Sequence, residues 1–168
     1  MKIQKYTTLL VLLFIVTIAS AQEKPSFKDI TANTKKVATS YFNNYINLDF
    51  KAMSNQANEA ISFNDTTAKL IFGIELVEGK KAVFENFKVT YASIVEMKSE
   101  VIRTMFSSNV GIFETQLTYT FKVSAEKTIT ISKMPLIVIL TVKEDKVIKH
   151  RDYADYNHFL EQYNNQLK

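Results

Sequence analysis

The sequence predicts an α+β domain, with helices gathered on one face of a strongly curved, mostly antiparallel sheet. Three observations carry this expectation. From Ser26 to Asn47 apolar residues recur at spacings of three and four, the period of an amphipathic helix. From Ile94 onward the period changes to two, the period of strands, and is held through four successive segments joined by short turns. The order is therefore helices first and a run of antiparallel strands after, which segregates the two kinds of element into layers. A bent sheet wrapped over a long first helix encloses a cone with a hollow, and hollows of that kind hold ligands.

The elements follow in order. Ser26 and Asp29 form a helix start, and Phe27, Ile30, Val37, Ala38, Tyr41, Phe42, Tyr45 and Ile46 mark the buried stripe behind it. Asp49 caps a shorter helix carrying Phe50, Met53 and Ala57, expected to end near Ala60. Ile61-Ser62-Phe63 reads as a short strand, Asn64-Asp65 as a turn, and Leu70 to Val77 as a second short extended segment. Gly79 opens a helix in which Val83, Phe84, Phe87 and Tyr91 share a face.

Strands are expected over Val95–Phe106, Gly111–Val123, Thr128–Val142 and Lys146–Tyr153. In the second, Phe113, Leu117, Tyr119 and Phe121 alternate with Glu114, Gln116, Thr118 and Thr120, giving one buried and one wet face. The third is apolar on both faces from Met134 to Leu140, and Pro135 within it implies a bulge or an unpaired position. Asp155 caps a last helix with Tyr156, Phe159, Leu160 and Tyr163 on one side.

Composition removes several function classes. The 168 residues contain no Cys, which excludes thiol catalysis, Cys-ligated zinc, iron-sulfur clusters and disulfides. Three Gly cannot build a phosphate cradle, and no nucleotide-binding or nucleophile-elbow motif is present, so no cofactor is expected. Setting aside Lys2 and Lys5, 19 basic residues face 17 acidic ones, and the only Arg are Arg103 and Arg151. That is no footprint for nucleic acid. His150 and His158 sit on different elements at an unfamiliar spacing, so no metal is expected.

Residues 1–21 read as a cleavable signal peptide: a Lys-bearing start, the apolar run Leu9–Ile18, and Ala19-Ser20-Ala21 before Gln22. The apolar run is about half the ~20 residues that a spanning helix needs. Residues 22–168 are expected to form one domain, periplasmic or secreted, with no membrane attachment after cleavage.

Three segments carry a family resemblance: Asn47-Leu48-Asp49-Phe50 behind a Tyr-rich helix, Glu78-Gly79-Lys80-Lys81-Ala82-Val83, and above all the run from Lys146 to Asp155. Together they resemble the SnoaL-like polyketide cyclase domains of the nuclear transport factor 2-like (NTF2-like) superfamily. The resemblance implies a cone-shaped α+β barrel with a cavity between sheet and helices, used in some members for acid-base chemistry and in others only for binding. Glu144-Asp145-Lys146 lacks the Gly usual in that turn, which bears on the turn type and not on the strand; the stretch from Phe63 to Gly79 is longer and more apolar than the family pattern, so the mouth of the cavity is expected to differ.

On the last strand, alternation places Ile148, His150 and Asp152 on one face, read as the inward one. A carboxylate beside an imidazole in an apolar hollow is the arrangement of a general base for carbon acids, and the resemblance implies that role for Asp152. The same two side chains would equally serve as a mutually satisfied buried pair. Tyr41 and Tyr45, one turn apart, either aim hydroxyls into the hollow or pack the core. Arg103 shares a strand face with Met97, Val101 and Met105; it either lines the hollow and recognises an anion or, if the register slips by one, is solvated. Phe63 and Tyr119 complete the expected lining.

The expected function is binding of a small, largely apolar molecule. An acid-base cyclase, isomerase or dehydratase using Asp152, and a non-catalytic homodimeric interaction module, stand beside it. The homodimer expectation rests on Ile137 and Ile139, apolar on the outer face of the third long strand.

Overall fold

The computed structural model describes residues 24–73 and 76–168. The expected leader and its cleavage before Gln22 lie outside the described residues. Helix α1 spans Phe27–Ile46 behind a capping box in which the Ser26 side chain accepts from the Asp29 amide and Asp29 reaches back. Helix α2 (Phe50–Gln56) is capped by Asp49. It stops four residues earlier than the sequence predicts, because Ala57 turns extended and joins strand β1, Ala57–Asp65.

After β1 the expected extended segment is instead a single helical turn, α3 (Lys69–Phe72), with only Val77–Glu78 pairing as β2. The cause is Asp65, whose Oδ1 accepts from the amides of Thr67 and Ala68 and winds the chain at its carboxylate. Gly73, at φ +67°, then ends the turn in the left-handed region. Helix α4 runs Lys80–Thr90, followed by β3 (Ile94–Ser107), β4 (Val110–Lys122), β5 (Thr128–Lys143), β6 (Lys146–Ala154) and α5 (Tyr156–Leu167). Asp155 caps α5, as its side chain accepts from the His158 amide. Glu144 and Asp145 both take positive φ between β5 and β6, so the tight hairpin turn forms without glycine.

One six-stranded, curved and unclosed sheet has the order β2-β1-β6-β5-β4-β3. All neighbours are antiparallel except β1 and β6, which run parallel. Helix α1 crosses the concave face over β3 to β6, α4 packs on β1, and α5 closes over β5. Phe42 of α1 stacks flat on Phe113 of β4 at 4.3 Å between centroids. Phe87 of α4 meets Tyr45, Phe63 and His150.

Irregular pairing decides which faces point inward. The slip in β4–β5 pairing falls at Ser132-Lys133, with Lys133 at φ +53°; Pro135 sits within the ladder opposite Gln116. On β3 the register shifts between Val101 and Arg103, and one extra residue reverses every side chain beyond it. Arg103 is therefore paired with outward Glu114 and lies outside the hollow. On β6 the inward residue before His150 is Val147, not Ile148, because the β5 pairing slips near Val142. His150 and Asp152 nevertheless face the core, both almost fully buried.

Candidate functional site

Between the sheet and the helices lies a cavity of about 370 Å³, within the range of small-molecule sites, roughly 300–1,000 Å³. Its apolar wall comes from Ile94 and Met97 of β3, Leu117 and Phe121 of β4, and Met134 and Leu136 of β5. Phe72 of α3 and Phe159 of α5 close it, their rings 6.0 Å apart. The polar wall is made where β1 and β6 end: Asp65 and Asp152 line it, together with Tyr45, Tyr91 and Tyr156.

Each carboxylate is held by hydroxyls. Asp152 Oδ2 accepts from the Tyr45 hydroxyl at 3.0 Å, and Oδ1 pairs with His150 Nε2 at 2.9 Å. Tyr45 in turn shares a 2.5 Å contact with the Tyr91 hydroxyl. Asp65 Oδ2 accepts from Tyr156 at 2.6 Å, while Oδ1 accepts from the Thr67 hydroxyl and the amides of Thr67 and Ala68. A tyrosine has one proton to give. Tyr45 gives its proton to Asp152, so its oxygen accepts from Tyr91, and Tyr156 gives its own to Asp65. Tyr91 and Tyr156 are left with lone pairs rather than protons for the cavity.

Burial raises the pKa of Tyr45, Tyr91 and Tyr156, and the negative charge of Asp152 or Asp65 raises it further. Burial alone raises that of Tyr119. These hydroxyls keep their protons at neutral pH and act as hydrogen-bonding groups rather than as phenolate bases.

Of the residues singled out from the sequence, Asp152, Tyr45 and Tyr119 line the cavity. His150 does not; it stands behind Asp152, with the rings of Tyr41, Tyr45, Phe63 and Phe87 around it and Nδ1 unpartnered. With Nε2–H donated to the carboxylate, the unpaired Nδ1 is an acceptor. Tyr41 and Phe63 are likewise core residues outside the lining, and the Tyr41 hydroxyl has no partner. Arg103 is corrected to the outer surface, exposed and bonded through Nε and Nη2 to Glu114 Oε2.

Three polar residues were missed as site residues. Tyr91 and Tyr156 were visible as members of helix stripes, but nothing local distinguished them from core aromatics. Asp65 looked like an ordinary turn residue. Only the parallel pairing of β1 with β6 sets it beside Asp152. Among the described residues no three His, Asp or Glu side chains converge as metal ligands.

A single curved sheet, helices on its concave side and a cavity with acidic and tyrosine groups at one end define an α+β cone domain. The chain has the NTF2-like fold. A protein of Shewanella denitrificans OS-217 described as a SnoaL-like polyketide cyclase superposes with a TM-score of 0.70 at 15% identity, over 79% of this chain and 98% of its own. Its counterpart from Shewanella putrefaciens CN-32 also gives 0.70, at 16% identity, over 86% and 100%. An LEH-like epoxide hydrolase of M. tuberculosis gives 0.63 at 11% identity, over 82% and 93%. No protein-family model and no curated protein sequence matches the chain.

Proposed function

We propose that this protein is an exported domain that binds a small, largely apolar molecule in the cavity between sheet and helices. The observation that carries this reading is the cavity itself: about 370 Å³, walled mainly by aliphatic, thioether and aromatic side chains, with two carboxylates at one end. Export rests on the leader sequence, and the mature protein is expected to begin at Gln22. The test of binding is to fill the space. Met97→Trp projects an indole from β3 into the cavity, and should abolish the NMR shift changes that a small aromatic probe causes at Tyr91 and Tyr119. Shift changes that persist in the variant would put the binding elsewhere.

A second reading is supported by Asp152, which is buried at the cavity wall and oriented by Tyr45 and His150 as a general base would be. Against it stands the hydroxyl arrangement, since Tyr45, Tyr91 and Tyr156 spend their protons inside the wall and offer none to a developing oxyanion. Deuterium exchange at the α-carbon of a small apolar ketone tests it: exchange catalysed by the native protein and lost in Asp152→Asn would establish the base.

The outer sheet face supports self-association. Ile137 on β5, 40% exposed, lies between Glu114 and Tyr153, itself 40% exposed, and Ile139 lies beside Ile112. A second copy of the chain covering this ridge would bury it, and sedimentation at micromolar concentration should give twice the mature mass.

A further inference from the structure

The ligand class follows from what surrounds the cavity. Among its lining residues the ionisable groups other than tyrosine are Asp65 and Asp152, with no Lys, Arg or His to balance them. Arg103, the side chain that would have read an anion, is turned to the outer surface by the β3 bulge and bound to Glu114. Arg151, the other arginine, reaches Ser62 and the His150 carbonyl rather than the cavity. His150 pairs with the far oxygen of Asp152 and is not part of the lining.

The tyrosine hydroxyls beside the carboxylates carry the same sign. Tyr156 and Tyr45 point their protons at the two carboxylates and Tyr91 points its own at Tyr45, so three oxygens beside the acidic pair are acceptors. Tyr119 donates only to the Met134 sulfur at 3.9 Å, a weak bond from which it can turn. Around these groups stand the faces and edges of Phe72, Tyr91, Phe121, Tyr156 and Phe159. Aromatic faces attract cations, and most strongly where water is excluded. A carbonyl or carboxylate placed against this wall would meet lone pairs; an ammonium would meet two carboxylates and aromatic rings.

We propose that the ligand of this cavity is an organic monocation, an alkylamine or quaternary ammonium with an apolar body, its charge held at the wall of Asp65 and Asp152. The apolar part then occupies the Met97, Leu117 and Leu136 side of the cavity. This rests on the binding reading above and names the chemistry of its ligand. The raised pKa of Tyr91 and Tyr156, caused first by burial and then by both aspartates, reflects the same negative field. A metal ion is a poorer match, since two carboxylates supply too few donors for a stable site.

The experiment compares three probes of one shape by NMR titration: benzyltrimethylammonium, its neutral carbon isostere neopentylbenzene, and 2,2-dimethyl-3-phenylpropionate. The ammonium should bind at least tenfold more tightly than the isostere, and the carboxylate least of all. Asp152→Asn and Asp65→Asn should each weaken the ammonium several-fold and leave the isostere unchanged. Asp65 also holds the turn before α3, so Asp152→Asn carries the test if the Asp65 variant does not fold. Equal binding of the isostere, tighter binding of the carboxylate, or a cation preference that survives the aspartate substitutions would overturn the monocation and leave the apolar cavity standing. Failure of all three probes to bind would overturn both readings.

Discussion

Asp65 and Asp152 are direct neighbours across the parallel pairing of β1 and β6, and both line the same cavity wall. Two like-charged side chains in adjacent strands repel, a cost the protein offsets with separate sets of donors. Asp65 takes two amides and two hydroxyls, and Asp152 takes a hydroxyl and an imidazole.

Asp152→Asn should destabilise the fold although it relieves that repulsion. With the new carbonyl oxygen accepting from Tyr45, the new amide nitrogen faces His150 Nε2, which must then accept. The imidazole proton moves to Nδ1, which has no partner in the core. A buried donor left unpaired costs about 1–3 kcal/mol. Urea denaturation should show a loss of that size; an unchanged midpoint would mean that the ring or a neighbour rearranges.

The tyrosines predict an alkaline transition. Of the 8 tyrosines in the chain, Tyr41, Tyr45, Tyr91, Tyr119 and Tyr156 have their pKa raised by burial. Below about pH 10 both folded and unfolded chains hold these protons. Above it the unfolded chain releases them and the folded chain does not, so stability falls as pH rises. Ultraviolet titration should show these five ionising only together with unfolding. Early, independent ionisation of these five would contradict the burial.

At Gly111 helix α1 lies close against the sheet. A Cβ added there would lie 3.0 Å from the Ala38 Cβ and 3.1 Å from the Phe106 ring. Because Ala38 sits on a packed helix, the contact is relieved only by shifting α1, and overpacking of this kind costs about 1–3 kcal/mol. Gly111→Ala should lower the thermal midpoint, and a further Ala38→Gly should restore part of the loss.

Arg103→Ala should do little. Its partner Glu114 is on the surface, and exposed ion pairs contribute about 0.2–1 kcal/mol. Binding of the cavity probes should be unaffected, whereas a site that used Arg103 for an anion would lose it.

Much of the chain is legible because its signals are local. The Ser26–Asp29 box, the caps at Asp49 and Asp155, and the change from helical to alternating period each depend on residues a few positions apart. The inward phase of His150 and Asp152 was legible for the same reason, although Ile148, the residue used to set it, lies beside an irregular pairing. The extended reading of Leu70–Val77 was not correct, because a carboxylate just upstream, Asp65, bonds the backbone and winds it.

The sequence by itself thus determined the kinds and order of the elements, since periodicity and caps are properties of neighbouring residues. The tertiary structure alone decided which side chains meet. A one-residue bulge moved Arg103 from the inner face to the outer, and no propensity marks the position of that slip. Parallel pairing of two strands far apart in the chain brought Asp65 to Asp152, and the close of the last helix over the sheet brought Tyr156 to Asp65. Such contacts are set by packing the whole core at once, with each buried polar group drawn to whatever partner the fold leaves within reach.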